Sequence, residues 1–166
     1  WELLPDLPFV SRESLSSGLA ATAHLFRRRW TRVSIATGLD VASEVPRGTH
    51  PMLDPLYGSS AVDIRHDPIR LTRLERLAEL AAAPLGVARL VVCLAYPGPP
   101  RLNCGECEKC VWTMTQLLAI GRLEDARSFP HRDVPPERNR SVPIGPVEAQ
   151  YYVEAVPGLA QRGRGD

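Results

Sequence analysis

The residues best suited to chemistry in this 166-residue chain are its four cysteines, Cys93, Cys104, Cys107 and Cys110, spaced C-x10-C-x2-C-x2-C. Four soft donors set out as one plus three can close a tetrahedral Zn(II) site, because structural zinc takes four thiolate or imidazole ligands and keeps no open position. Within Cys104-Gly105-Glu106-Cys107 the glycine tolerates a left-handed turn that aims backbone N–H groups at sulfur. Cys107 and Cys110 are one helical turn apart, so a helix beginning near Glu106 sets both sulfurs on one side. Its positive N-terminal end suits an anionic tetrathiolate. Two other uses compete for the same residues. A disulfide scaffold is one, although four cysteines in 166 residues are sparse for it. A redox C-x2-C is the other, and it needs only two of the four. The pattern speaks to a metal and is silent about reaction.

The elements that must position these cysteines can be read from periodicity. Glu108 to Ile120 has helical spacing, with Val111, Met114, Leu117 and Leu118 on one face and Gly121 as its stop. Arg89 to Leu94 reads as an apolar strand with Cys93 near its end, so a metal would tie a strand end to the helix that follows. Upstream, Thr72-Arg73-Leu74-Glu75 fits a capping box opening a helix from Arg73 to Ala83, with Leu74, Leu77, Ala78 and Ala81 at core spacing. Arg32 to Thr37 and Val62 to His66 read as strands. A helix from Gly18 to Arg29 is expected to turn Leu19, Thr22, Leu25 and Phe26 inward and to end on Arg27, Arg28 and Arg29, either a phosphate patch or a solvated helix end. Strands alternating with helices define an α/β class with a mostly parallel sheet.

Between the first two strands runs a long loop, Leu39 to Ser60, and in open α/β sheets ligands lie beyond the carboxyl ends of strands. His50 and Asp54 are therefore candidate ligand contacts. The competing reading is that Thr49 and Asp54 organise turns ahead of Pro51 and Pro55. Beyond Gly121, Asp125 to Pro146 is rich in Pro and Arg without a period and is expected to wrap the surface. Val147 to Val156 could form a short helix with Tyr151 and Tyr152, His131 reads as a solvated loop residue, and Arg162 to Asp166 as a frayed tail.

Length fits a domain large enough for a real core. A net charge of +1, from 20 basic and 19 acidic residues, lacks the electrostatic footprint of a dedicated nucleic-acid binder. Lys109 is the sole lysine, so arginine carries nearly all the positive charge. No stretch approaches 18 apolar residues, and no membrane partner is expected. Reduced cysteines and the absence of an export signal point to the cytoplasm. The start at Trp1, without Met, reads as the edge of a truncation.

A strand ending I-A-T-G, a long loop, a second strand, T-R-L-E opening a helix, then Cys93, a gap and C-G-E-C-E-K-C together resemble the C-terminal half of 7-cyano-7-deazaguanine synthase-like proteins. These belong to the PP-loop ATP pyrophosphatase superfamily, with an adenine-nucleotide-hydrolase-like α/β fold. The resemblance spans about Leu19 to Gly121, and G-T-H-P-M-L-D-P-L with N-C-G-E-C-E-K-C looks like one branch of that group. It implies structural zinc on Cys93, Cys104, Cys107 and Cys110, and substrate contacts in the loop after the first strand, here pointing to Arg47, His50 and Asp54. It also implies a basic residue at the start of the capped helix, here Arg73. The domain division it suggests is 1–121, with a zinc-binding segment 93–121, followed by a Pro/Arg-rich extension 122–166.

The implied activity is ATP-dependent, AMP-forming ligation with pyrophosphate release on a small-molecule substrate. One departure matters. The S-G-G-x-D-S loop that cradles ATP phosphates does not occur in these 166 residues, Ser16-Ser17-Gly18 being the nearest string. ATP and Mg(II) are thus expected only with a missing N-terminal half or a partner chain, and a second copy of this chain is another candidate partner. The alternative is a zinc-stapled, non-catalytic binding module or subunit that lacks the phosphate loop.

Overall fold

The computed structural model describes residues 13–36, 39–40, 48–67, 70–83, 85–93, 95, 97–100 and 102–164. The chain forms two compact units, Trp1–Thr72 and Arg73–Asp166.

In the first unit, helix α1 spans Leu15–Leu25, strand β1 Arg32–Ile35 and strand β2 Asp63–His66, with a 3-10 turn at Asp54–Tyr57 between the strands. The strands pair in parallel, Arg32 opposite Asp63 and Ile35 opposite His66. Both expected strands are present and the class is α/β, but among the described residues the sheet has only these two strands. Val62, Ile64 and Ile35 form a small core with Ala20 and Ala23 of α1.

That core corrects the expected face of α1. The helix begins earlier than Gly18, ends at Leu25, and buries Ser16, Ala20 and Ala23. Leu19, Leu25 and Phe26 are exposed, Leu25 by 82%. Small residues win because the chain approaches α1 at backbone distance: Ser16 N–H donates to Gly48 O at 2.6 Å. A Cβ on Gly48 would lie 2.8 Å from the Leu15 nitrogen, so only glycine fits there. Arg27, Arg28 and Arg29 are exposed.

The second unit is built around helix α3, Glu108–Ala119. Helix α2 is Arg73–Ala82, α4 is the short Pro136–Arg140, and α5 is Pro146–Ala160. As the spacing predicts, α3 buries Val111, Met114 and Leu117, and Gly121 ends it at φ +70°. Burial does not stop at one face, however, for every residue from Cys110 to Leu117 is buried. The extension accounts for this. Phe129, Val134, Val142 and Ala155 are buried, the first three in the same core as α3. The segment expected to wrap the surface thus supplies core. Helix α5 comes so close to α3 that a Cβ on Gly158 would lie 2.4 Å from Ala119 O. Two residues of the expected frayed tail are engaged as well: Arg162 donates to Leu118 O at 3.1 Å, and Arg164 pairs with Asp133, while residues 165–166 lie outside the described residues. In α2, Leu77 and Ala81 are buried as expected, whereas Ala78 is exposed.

Among the described residues the expected third strand is absent. Residues 85–89 are turns and 90–93 join no ladder. Asn103, fully buried, does the work of a neighbouring strand. Its Oδ1 accepts from Val92 N at 2.9 Å and Cys93 N at 3.1 Å, and its Nδ2 donates to Leu90 O at 2.8 Å and Ser128 O at 3.2 Å. Buried backbone groups must find partners, and one amide side chain meets that requirement at Leu90 O, Val92 N and Cys93 N.

Candidate metal centre and the Asp54 cluster

The four cysteine sulfurs all lie within 4.8 Å of one another. Cys104 Sγ is 3.8 Å from Cys110 Sγ, and Cys107 Sγ is 4.0 Å from Cys93 Sγ. A tetrahedron with metal–sulfur bonds of about 2.3 Å has edges of about 3.8 Å, so the spacing matches chelation, while a disulfide needs about 2.0 Å. The cysteines are free thiols.

Local structure sets this geometry as the spacing predicts. Gly105 sits at φ +78°, and the turn it allows directs Glu106 N–H and Cys107 N–H to Cys104 Sγ at 3.4 and 3.2 Å. Cys107 is the N-cap residue of α3 and Cys110 lies in its first turn. Cys104 N–H donates to Cys93 Sγ at 3.4 Å, and Asn103 immediately before it fixes the Cys93 backbone. Burial pushes the Cys104 thiol up, but hydrogen bonds from Cys107 and Glu106 and from the neighbouring thiols outweigh it and bring it down to about 7. Burial dominates at Cys110 and pushes that thiol up, against a backbone hydrogen bond from Gly105 and with Cys107 adding to the rise. Four thiols held this close are costly to ionise without a cation, and a divalent metal resolves the conflict.

The outer layer comes from the extension. His131 is not simply solvated but half-buried against the knuckle: a Cβ on Gly105 would lie 2.6 Å from its Cδ2 and 2.7 Å from Pro130 Cγ. Arg138 donates to Gly105 O at 3.0 Å. Sequence reasoning missed Asn103 and Arg138, for neither carries a local signal of its role.

Among the expected substrate residues, Arg47 lies outside the described residues. His50 and Asp54 are brought together in the first unit, and Asp54 is fully buried. One of its oxygens accepts from Ser16 Oγ at 2.5 Å and from His50 N at 2.9 Å, and the other bonds to His66 Nδ1 at 2.7 Å. His50 makes the turn: its carbonyl accepts from Leu53 N and Asp54 N, and its Nδ1 accepts from Met52 N at 3.2 Å. The turn-organising role of Asp54 is therefore realised, with its carboxylate bonded on both oxygens. His66, at the carboxyl end of β2, joins this cluster, a role that no local motif marks.

Arg73 belongs to the second unit. Its Nε donates to Gln116 Oε1 at 3.1 Å and its Nη2 to Thr113 Oγ1 at 3.0 Å, and the guanidinium lies 5.0 Å from the Tyr151 ring centroid. Burial lowers its pKa, with Tyr151 and Glu154 opposing. Glu154 also accepts from Leu74 N at 3.1 Å, capping the start of α2 from across the unit.

The fold and the site define an α/β protein with a four-cysteine centre able to hold a metal ion. No helix among the described residues is long and apolar enough to cross a membrane. Comparison of the chain with models of protein families, with curated proteins and with solved structures finds no match.

Proposed function

We propose that the metal is zinc, held as a structural staple by Cys93, Cys104, Cys107 and Cys110, and that the chain is the substrate-side portion of a PP-loop-type, ATP-dependent enzyme that adenylates its substrate with release of pyrophosphate. The observation carrying the zinc is the closed set of four sulfurs at tetrahedral spacing, with three N–H donors aimed at two of them. Zinc bound there supplies a crosslink between the 90–93 segment and α3, and no open position for a reactant. The enzymatic part rests on the sequence resemblance. What supports it is the order of elements, a parallel β1–β2 pair whose connecting loop leaves the carboxyl end of β1, then α2, then the cysteine knuckle.

In this proposal Arg47 and His50 present donors to the substrate, Asp54 holds the turn at His50 in place, and Arg73 is a separate candidate contact. The phosphate cradle comes from outside these residues. A second reading, a zinc-stapled binding module or subunit without catalysis, is favoured by the lack of an S-G-G-x-D-S string anywhere in the sequence. Calorimetric titration with Mg-ATP separates the two. The isolated chain should bind ATP weakly and release no pyrophosphate, since the S-G-G-x-D-S string whose amides stabilise the β- and γ-phosphates does not occur in its sequence. Joining it to a segment bearing the phosphate loop should create tight ATP binding if it is half of an enzyme and change nothing if it is a module. Strong pyrophosphate release by the isolated chain would refute both.

A further inference from the structure

Helix α3 and the extension enclose a groove of about 500 Å³ on the side of the second unit built by α3, α4 and α5. Its volume falls in the range of small-molecule sites. The walls are apolar, from Leu118 of α3, Val134, and Val156 and Leu159 of α5. Its polar lining comes from Thr115, Asn139, Arg140 and Arg164. Asn139 uses its Oδ1 to accept from the buried Thr115 hydroxyl at 2.8 Å, which leaves its NH2 as the free end. Arg140, exposed at the last position of α4, has no partner for its guanidinium among the described residues. Arg164 reaches the same groove while paired with Asp133. Among the described residues no carboxylate side chain lines the groove, and the two lining side-chain groups left without a partner, the Asn139 NH2 and the Arg140 guanidinium, are N–H donors.

We propose that this groove is a binding site for an amphiphile with an apolar body and a single anionic head, a carboxylate or a phosphate monoester. The body lies against Val156, Leu159 and Leu118, and the head meets Arg140 and the Asn139 amide. A positively charged or acceptor-poor ligand is disfavoured, because it would leave those donors unpaired and oppose the arginine charge. The site gives the extension a task separate from the metal centre and from ATP chemistry.

Calorimetric titration of the full chain with decanoate, decyl phosphate and decylammonium tests this, the two anions distinguishing the head group. One or both anions should bind saturably at one site per chain, with decylammonium at least tenfold weaker. Arg140→Glu should weaken anion binding at least tenfold. Val156→Trp, at a position 56% exposed and therefore outside the core, should fill the groove and abolish it. Unchanged melting temperatures in both variants would show that the fold survives. Failure of both anions to bind saturably, equal binding of the cation, or binding that survives both substitutions would overturn the proposal. So would sedimentation showing that Val156→Trp splits a dimer while neither anion binds, for the groove would then be covered by a second copy.

Discussion

Replacing Asn103 by Ala tests the reasoning about the metal centre most directly, because this side chain holds Cys93 without touching the metal. The substitution removes four hydrogen bonds in one step, two to the amides of Val92 and Cys93 and two to the carbonyls of Leu90 and Ser128. Leu90 O keeps a partner, since it also accepts from Ser128 Oγ at 2.6 Å. Taking about 1 kcal/mol for each bond lost and less for the one at Leu90 gives a destabilisation of roughly 3–4 kcal/mol. That is a large fraction of the roughly 5–15 kcal/mol that holds a domain together. Because the same bonds fix one ligand's backbone, zinc affinity should fall about 10- to 100-fold, as it does when an outer partner of a metal ligand is removed. Urea unfolding of the zinc-loaded protein measures the first effect and competition with a chromophoric chelator the second. Destabilisation below about 1 kcal/mol, against an expectation built on four buried bonds, would refute the account of the 90–93 segment. Full destabilisation with unchanged zinc affinity would show that the Cys93 backbone needs no such support.

Elemental analysis of protein purified without added metal should find one zinc per chain, and Cys107→Ser should lower both zinc content and melting temperature, since thiolate-bound zinc contributes on the order of 10 kcal/mol in small peptides. Asp54→Asn should destabilise the protein by roughly 3 kcal/mol in chemical denaturation, because it disrupts a fully buried carboxylate bonded to Ser16, His50 and His66; a loss near zero would mean these bonds do not hold the loop. Tyr152 gives a pH dependence: burial raises its phenol to about 12, and its hydroxyl has no partner among the described residues. The unfolded chain gives up that proton near its ordinary value of 10 while the folded chain keeps it, so stability should fall as pH rises from about 10 to 12. Tyr152→Phe should flatten that slope, and an unchanged slope would remove the residue from the explanation.

Local patterns determined much of this protein. The cysteine spacing, Gly105 at a left-handed turn, the start of α3 at Cys107 and its end at Gly121, and the two strands Arg32–Ile35 and Asp63–His66 all follow from residues close in sequence. Those features depend on backbone preference and on periods of two or 3.6 residues, which a short stretch carries within itself. Tertiary structure decided what each face meets. Leu19 and Leu25 are more apolar than Ser16 and Ala20, yet the small residues are buried, because Gly48 brings backbone against the start of α1 at Ser16 and Ala20 lies in the core with Ile35, Val62 and Ile64. Residues 89–93 have strand-like composition, yet the amides of Val92 and Cys93 are satisfied by Asn103, a residue whose type alone predicts a turn. Helix α3 is buried all round because the extension, without a readable period, folds back as α5 and places Gly158 against Ala119. Burial and hydrogen-bond pairing are properties of two segments at once, so the sequence of either one alone could not determine them.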